Sequence, residues 1–207
     1  DRHGNDIYHA EHSSQGAAAF GIGLHLDGGG HDQYTSYTFS QGFGYVRGVG
    51  IASSVGGDDI YLLHPSDVLY PSAQDPTGSN SSMGQGVGFG RRTTFASSGG
   101  DGVFMSGGLG VLRDLSGDDR YQCAIFCEGA GYWYGTGVLS DGAGQDQYDA
   151  QWYGQGGSAH FAVAAFLDEA GNDLYNSRAR RQNVILGCGH DFSVSWAEDG
   201  SGDDVYS

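Results

Sequence analysis

Hydrophobic and polar residues along this chain alternate over short stretches and then break at glycine. "GIGL" (21–24), "GVGI" (48–51), "GLGV" (108–111), "GTGV" (135–138) and "AVAA" (162–165) share one form, small-x-small-apolar. Only "SAHFAVAAFLDEA" approaches a helical period, and its counterparts elsewhere carry Gly-x-Gly, a poor helix former. Equivalent segments should share one structure, so all of them are predicted to be strands.

The breaks repeat as well. Gly-x-Asp-x-Tyr recurs with its aspartate at 6, 32, 59, 119, 146, 173 and 204, in steps of 26, 27, 60, 27, 27 and 31. A degraded copy, "GGDGV" at 99–103, would split the step of 60 into 42 and 18. Eight residues past the tyrosine comes Gly16, Gly42, Gly129 or Gly156, each preceded by Gln or Glu. Short strands and glycine turns at a fixed period of about 27 residues predict an all-β fold, a parallel β-solenoid (β-helix) of about seven coils. Stacked at about 4.8 Å per coil, these would make a single domain over 1–207, a rod about 34 Å long. A propeller blade needs roughly 40–50 residues for its four strands, which excludes that alternative. Pro65, Pro71 and Pro76 all fall in one window, so 62–83 is expected to be a loop extruded from its coil. The short step after it is expected to lack one side of the coil.

Stacking turns each repeated residue into a column. The tyrosines at 8, 34, 61, 121, 148, 175 and 206 are expected to form a buried aromatic column. The aspartates form two columns: 6, 32, 59, 119, 146, 173 and 204, and five residues earlier 1, 27, 114, 141, 168 and 199, interrupted by Ser54. Carboxylates about 5 Å apart repel by about 1 kcal/mol per neighbour in water and about 3 kcal/mol at a dielectric near 20. Either backbone N–H groups of the turns offset this, as in an Asx-turn, or a bound cation does. "DGGGHDQY" and "DGSGDDVY" resemble the Gly-Gly-x-Gly-x-Asp-x-apolar nonapeptide of hemolysin-type (RTX) β-rolls, although those nonapeptides run in tandem and here occupy nine residues in 27. The resemblance implies Ca²⁺ between stacked turns, with Asp27, Asp32, Asp59, Asp114, Asp119, Asp141, Asp146, Asp168, Asp173, Asp199 and Asp204 as ligands.

Composition narrows the partners. Gly accounts for 39 of 207 residues and Pro for 3, while Tyr 13, Phe 10 and Trp 3 supply the anchors of a folded core. Net charge is −16, with nine arginines and no lysine. Such a surface repels nucleic acid and anionic membrane and attracts divalent cations. No apolar run reaches the 18 residues of a membrane span, and no signal peptide is visible. Cys123 and Cys127, if in a strand, would stand roughly 13 Å apart, too far for a disulfide. Full motifs at 1–8 and 199–206, without caps, point to a piece of a longer array or to copies stacking end to end.

No nucleophile elbow, zinc-protease, P-loop or dinucleotide motif is present. Arg47, Arg91, Arg92 and His160 lie outside the motif without visible convergence. "GYWYG" (131–135) and "QWYGQG" (151–156) either fill the coil or bind sugar rings. The chain therefore reads as a structural or binding module of an extracellular or cell-surface assembly, rather than an enzyme. A carbohydrate-active β-helix working on acidic polysaccharide is the alternative.

Overall fold

The computed structural model describes residues 2–75, 78–92, 104–176 and 182–207, and among these there are strands and turns but no helix. Three parallel sheets wrap into a β-solenoid of about seven turns. The Tyr sheet stacks Ile7–His9, Gln33–Ser36, Ile60–Leu63, Arg120–Gln122, Gln147–Asp149, Leu174–Tyr175 and Val205–Tyr206 in that order. A short sheet follows in each coil: Ala18–Ala19, Gly44–Tyr45, Gly88–Phe89, Gly131–Tyr132, Ser158–Ala159 and Gly189–His190. The Gly sheet closes the coil with Ile22–Leu26, Val49–Ser53, Leu109–Arg113, Thr136–Asp141, Val163–Asp168 and Val194–Asp199. The Asp-x-x-Gly-x-Asp turn then leads to the next strand of the Tyr sheet.

Register is in phase throughout, so each tyrosine pairs with the tyrosine of the next coil. Their rings stack at centroid distances of 4.5–5.2 Å and within 16° of parallel. The five central rings, from Tyr34 to Tyr175, are buried. Opposite them the Gly sheet supplies Ala52, Leu112, Leu139 and Phe166, which complete the main core. Each strand of that sheet points alternate residues outward, which leaves Ile22, Leu24, Val194 and Trp196 exposed.

The Gln of the repeat has a backbone reason. Gln15, Gln41, Gln85, Glu128 and Gln155 all sit at φ of 46–57°, a left-handed conformation that costs about 1–2 kcal/mol for a residue with a side chain. Its amide offsets this by closing the corner: Gln41 Nε2 donates to the carbonyls of Tyr34 (3.0 Å) and Leu62 (3.3 Å), and Gln85 Nε2 to Tyr61 (2.9 Å) and Gln122 (3.3 Å). Glycine is required where coils touch. A Cβ on Gly57, at φ +118°, would stand 1.5 Å from the Gly30 carbonyl oxygen.

Three expectations change. Ile60–Leu63 pairs directly with Arg120–Gln122, so the step of 60 is one coil and not two. That coil keeps all three strands, with Gly88–Phe89 and Leu109–Arg113 in place, so no side is missing. The "GGDGV" copy itself lies outside the described residues. Cys123 and Cys127 form a disulfide with Cα atoms 6.4 Å apart. They are not in a strand: the chain leaves the sheet at Gln122 and turns through Phe126 at φ +62°, which folds the two cysteines toward each other.

Within the 62–83 window, Leu62 and Leu63 belong to the strand, and Ser82 N–H donates to the Ile125 carbonyl at 2.7 Å. Between them the chain folds back over the first coils, where Tyr70 hydroxyl donates to Glu11 and Tyr37 hydroxyl donates to Asp67 at 2.6 Å. Buried Asn80 ties it down through Leu69 N–H, Tyr70 N–H and the carbonyls of His64 and Asp67.

The contact at Gly57 predicts a sharp mutational contrast. Gly57→Ala should lower stability by about 3 kcal/mol or more, or about 6–12 °C in Tm. Gly21→Ala, whose Cβ would meet only the Ala19 carbonyl oxygen at 3.8 Å, should change little. Thermal melts of the two variants check this.

Candidate metal centres

Each Asp turn carries two carboxylates with different tasks. The second is bonded from coil to coil: Asp6 N–H donates to Asp32 Oδ1 (2.6 Å), Asp32 to Asp59 (2.8 Å), Asp59 to Asp119 (2.6 Å), Asp119 to Asp146 (2.6 Å), Asp146 to Asp173 (2.7 Å) and Asp173 to Asp204 (2.9 Å). One oxygen of each carboxylate from Asp32 to Asp204 is thereby satisfied by a backbone donor of its neighbour. The other oxygen of Asp32, Asp119, Asp146 and Asp173, and Oδ2 of Asp6, are buried without a hydrogen-bond partner.

The first carboxylate binds the tyrosine column. Tyr8 hydroxyl donates to Asp27 Oδ2 (2.7 Å), Tyr61 to Asp114 (2.7 Å), Tyr121 to Asp141 (2.6 Å) and Tyr175 to Asp168 (3.0 Å). The remaining oxygen of Asp27 accepts Gly29 N–H (2.9 Å) and that of Asp114 accepts Ser116 N–H (3.2 Å), the expected Asx-turn. In Asp141 and Asp168 that oxygen has no partner. Two buried hydroxyls find no acceptor: that of Tyr34, which falls where the column has Ser54, and that of Tyr148.

The two columns converge between coils. Among the described residues, five groups each offer three carboxylate oxygens within 4.8 Å of one another: Asp6–Asp27–Asp32, Asp59–Asp114–Asp119, Asp119–Asp141–Asp146, Asp146–Asp168–Asp173 and Asp173–Asp199–Asp204. All eleven aspartates named from the sequence fall in these groups, and Asp6 joins them. Ligands at about 2.4 Å from an ion can stand no more than about 4.8 Å apart, so each group could hold a metal ion. In the Asp119–Asp141–Asp146 and Asp146–Asp168–Asp173 groups, every member also has one buried oxygen without a donor.

Burial dominates the electrostatics. It pushes Asp59 and Asp141 up to about 6, Asp114 and Asp173 up to about 7, and Asp119 and Asp146 further still. At Asp27 burial also pushes upward, but Gly29 N–H and the Tyr8 hydroxyl outweigh it and hold this carboxyl below its usual range. Burial, then the neighbouring carboxylates, raise Tyr61 and Tyr121 well above an ordinary phenol, so both remain donors.

A second convergence lies at another corner of the coil, between the short sheet and the Gly sheet. Arg92 Nη1 is 2.6 Å from His160 Nε2 although 68 residues separate them. Arg91, whose backbone pairs with Met105, is exposed, and Arg47 lies on the corner of an earlier coil. The "GYWYG" and "QWYGQG" rings are half-buried for the most part, with Tyr134 half exposed. No protein-family model, curated protein or solved structure matches the chain.

Two measurements follow from this geometry. Tyr121→Phe removes the donor to a buried carboxylate and should cost about 1–3 kcal/mol, whereas Tyr34→Phe removes a hydroxyl with no acceptor and should be neutral or stabilising. Denaturant unfolding of the pair reads the difference. The raised carboxyl pKa values mean that the folded state holds protons which the unfolded chain releases near pH 4. Their contribution is fully present below about pH 4 and is lost as pH rises through the folded values. With chelator present, Tm should therefore fall as pH rises from about 4 through about 6 and 7, the folded values of Asp59 and Asp141 and of Asp114 and Asp173. A flat or rising Tm over that range would show that these carboxyls are ionised throughout.

Proposed function

We propose that the chain is a structural and binding β-solenoid module of an extracellular or cell-surface assembly, stabilised by Ca²⁺ held between coils. One observation carries the reading. Carboxylates on adjacent coils converge on shared points and keep buried oxygens without donors, as in Asp119–Asp141–Asp146. An unpaired buried acceptor costs about 1–3 kcal/mol, and more when charged, so a column of them calls for an occupant. The groups offer oxygen donors alone, which select a hard cation. Ca²⁺ accepts irregular carboxylate sets, while Mg²⁺ demands near-octahedral geometry and keeps its waters.

The Cys123–Cys127 disulfide supports an oxidising compartment, where millimolar Ca²⁺ is normal. Phased stacking also supports self-association: a coil in the same register, from a neighbouring repeat or a second copy, would add to the columns as each coil here adds to the last. At net charge −16 such association should require Ca²⁺ or salt. Polysaccharide is the other partner class this module would meet.

Thermal unfolding with Ca²⁺ and with chelator tests the cation. A site at a hundred times its Kd adds about 2.7 kcal/mol, equivalent to about 5–11 °C for a chain of this size, and several sites add more. Mg²⁺ at the same concentration should do much less. Identical melting curves under all three conditions would leave protons as the occupants of the columns.

A further inference from the structure

The corner between the short sheet and the Gly sheet differs from the rest of the coil. In three successive coils it carries Trp133–Tyr134, His160–Phe161 and Asp191–Phe192, and all six residues have positive φ between 47° and 62°. Two left-handed side-chain-bearing residues in a row are costly, and backbone strain of this kind collects at binding sites. Here it aligns three side chains along the solenoid axis. His160 Nδ1 lies 2.8 Å from Asp191 Oδ2, and the Trp133 and His160 rings are 5.9 Å apart. His190 Nδ1 reaches the same Asp191 oxygen at 3.1 Å, and Tyr153 hydroxyl lies 3.2 Å from His190 Nε2.

Arg92 completes the group from the excursion that follows Gly88–Phe89. A guanidinium can only donate, so His160 Nε2 is the acceptor at 2.6 Å and its Nδ1 carries the proton given to Asp191. The imidazole is therefore neutral, and Asp191 is occupied by two histidines. Arg92 also lies 5.4 Å from the centre of the Trp133 ring, with Tyr132 hydroxyl 3.5 Å from the same Nη1. Among the described residues no carboxylate pairs with Arg92. In a chain of net charge −16 this is a cation held by neutral groups, and among the described residues no acceptor takes its Nη2 or Nε. Trp133, over which Arg92 lies, also lines a surface cavity of about 470 Å³ together with Phe104, Met105, Ser106 and Tyr134. Its size lies within the range of small-molecule sites, and its walls are mostly aromatic.

We propose that this corner is a binding site for a carboxylate carried on a ring. The free edge of Arg92 takes the carboxylate as a two-toothed fork, and the ring lies on the Trp133–Tyr134 wall. His160, fixed by Asp191, positions the guanidinium. The chemistry is shared by uronic acid sugars and by aromatic acids, and the site is separate from the Asp columns, so it stands or falls independently of Ca²⁺.

Titration of the Ca²⁺-supplemented protein, followed by tryptophan fluorescence and calorimetry, tests it with three ligands: a trigalacturonate, its methyl ester and phenylacetate. At least one of the two acids should bind saturably, and which one binds identifies the source. When the sugar acid is the ligand, its uncharged ester should bind about tenfold or more weakly. Arg92→Gln should weaken acid binding by about tenfold or more, and Arg92→Lys should fall between, because it keeps the charge and loses the fork. Arg47→Gln, on an earlier coil, should change nothing. No saturable binding of either acid up to about 10 mM, an ester that binds as tightly as its acid, or an Arg92→Gln variant with undiminished affinity would each overturn the proposal. Should Arg92→Gln fail to fold, the ester comparison and Arg92→Lys still decide.

Discussion

Every coil of this solenoid lies on a copy of itself about 4.8 Å away, so a repeated side chain meets its own kind. For tyrosine this is favourable, and the rings stack within 16° of parallel. For aspartate it is not, since buried carboxylates at that spacing repel strongly. The backbone bond from each second Asp N–H to the Oδ1 of the next coil partly resolves the conflict. It uses a main-chain donor that the turn must satisfy in any case, and it fixes the register of one turn on the next. The tyrosine hydroxyls then satisfy the first Asp, joining the polar column to the aromatic one. Stability, register and charge are thus tied to one turn, and the oxygens left over create the demand for a proton or a cation.

The same constraint explains what the sequence reveals. A period of 27 with Gly, Asp and Tyr in fixed phase marks residues that must repeat because they stack, so the coil and its columns are legible. Gln-Gly was visible as a spacing but not as a mechanism, because its meaning lies in a left-handed backbone and a bond to a carbonyl seven residues earlier. The Tyr–Asp partnership is harder to see. It joins residues 19 apart at Tyr8, 20 apart at Tyr121 and 53 apart at Tyr61, across the excursions, and only closure of the coil brings these together.

Irregular parts follow no period and were misread for that reason. "GGDGV" resembles the motif, yet Tyr61 stacks directly on Tyr121, so length alone cannot separate an extra coil from excursions within one. Strand spacing puts the cysteines too far apart because the segment leaving Gln122 turns instead of staying extended. Arg92 and His160 looked scattered because they enter the corner from different coils. In a solenoid, residues whose separation approaches a multiple of the period are neighbours, but excursions of unknown length hide that relation.

Ser54 separates the roles of the two aspartates more sharply than any comparison between intact coils. Where it replaces the first Asp, the coil keeps its register: Ser54 N–H donates to the Arg113 carbonyl at 2.9 Å, as Asp27 N–H does to that of Ser53 at 2.8 Å. The second Asp of that turn, Asp59, keeps its place in the backbone ladder at 2.6 and 2.8 Å. What disappears is the three-carboxylate group, since no Asp32–Asp59 set occurs among the five. The first Asp is therefore dispensable for coiling, while the second carries it. What the first Asp adds in the turns at 27, 114, 141, 168 and 199 is a third carboxylate between coils, which brings each group to a size that could hold an ion, and in most of them an acceptor for a tyrosine hydroxyl.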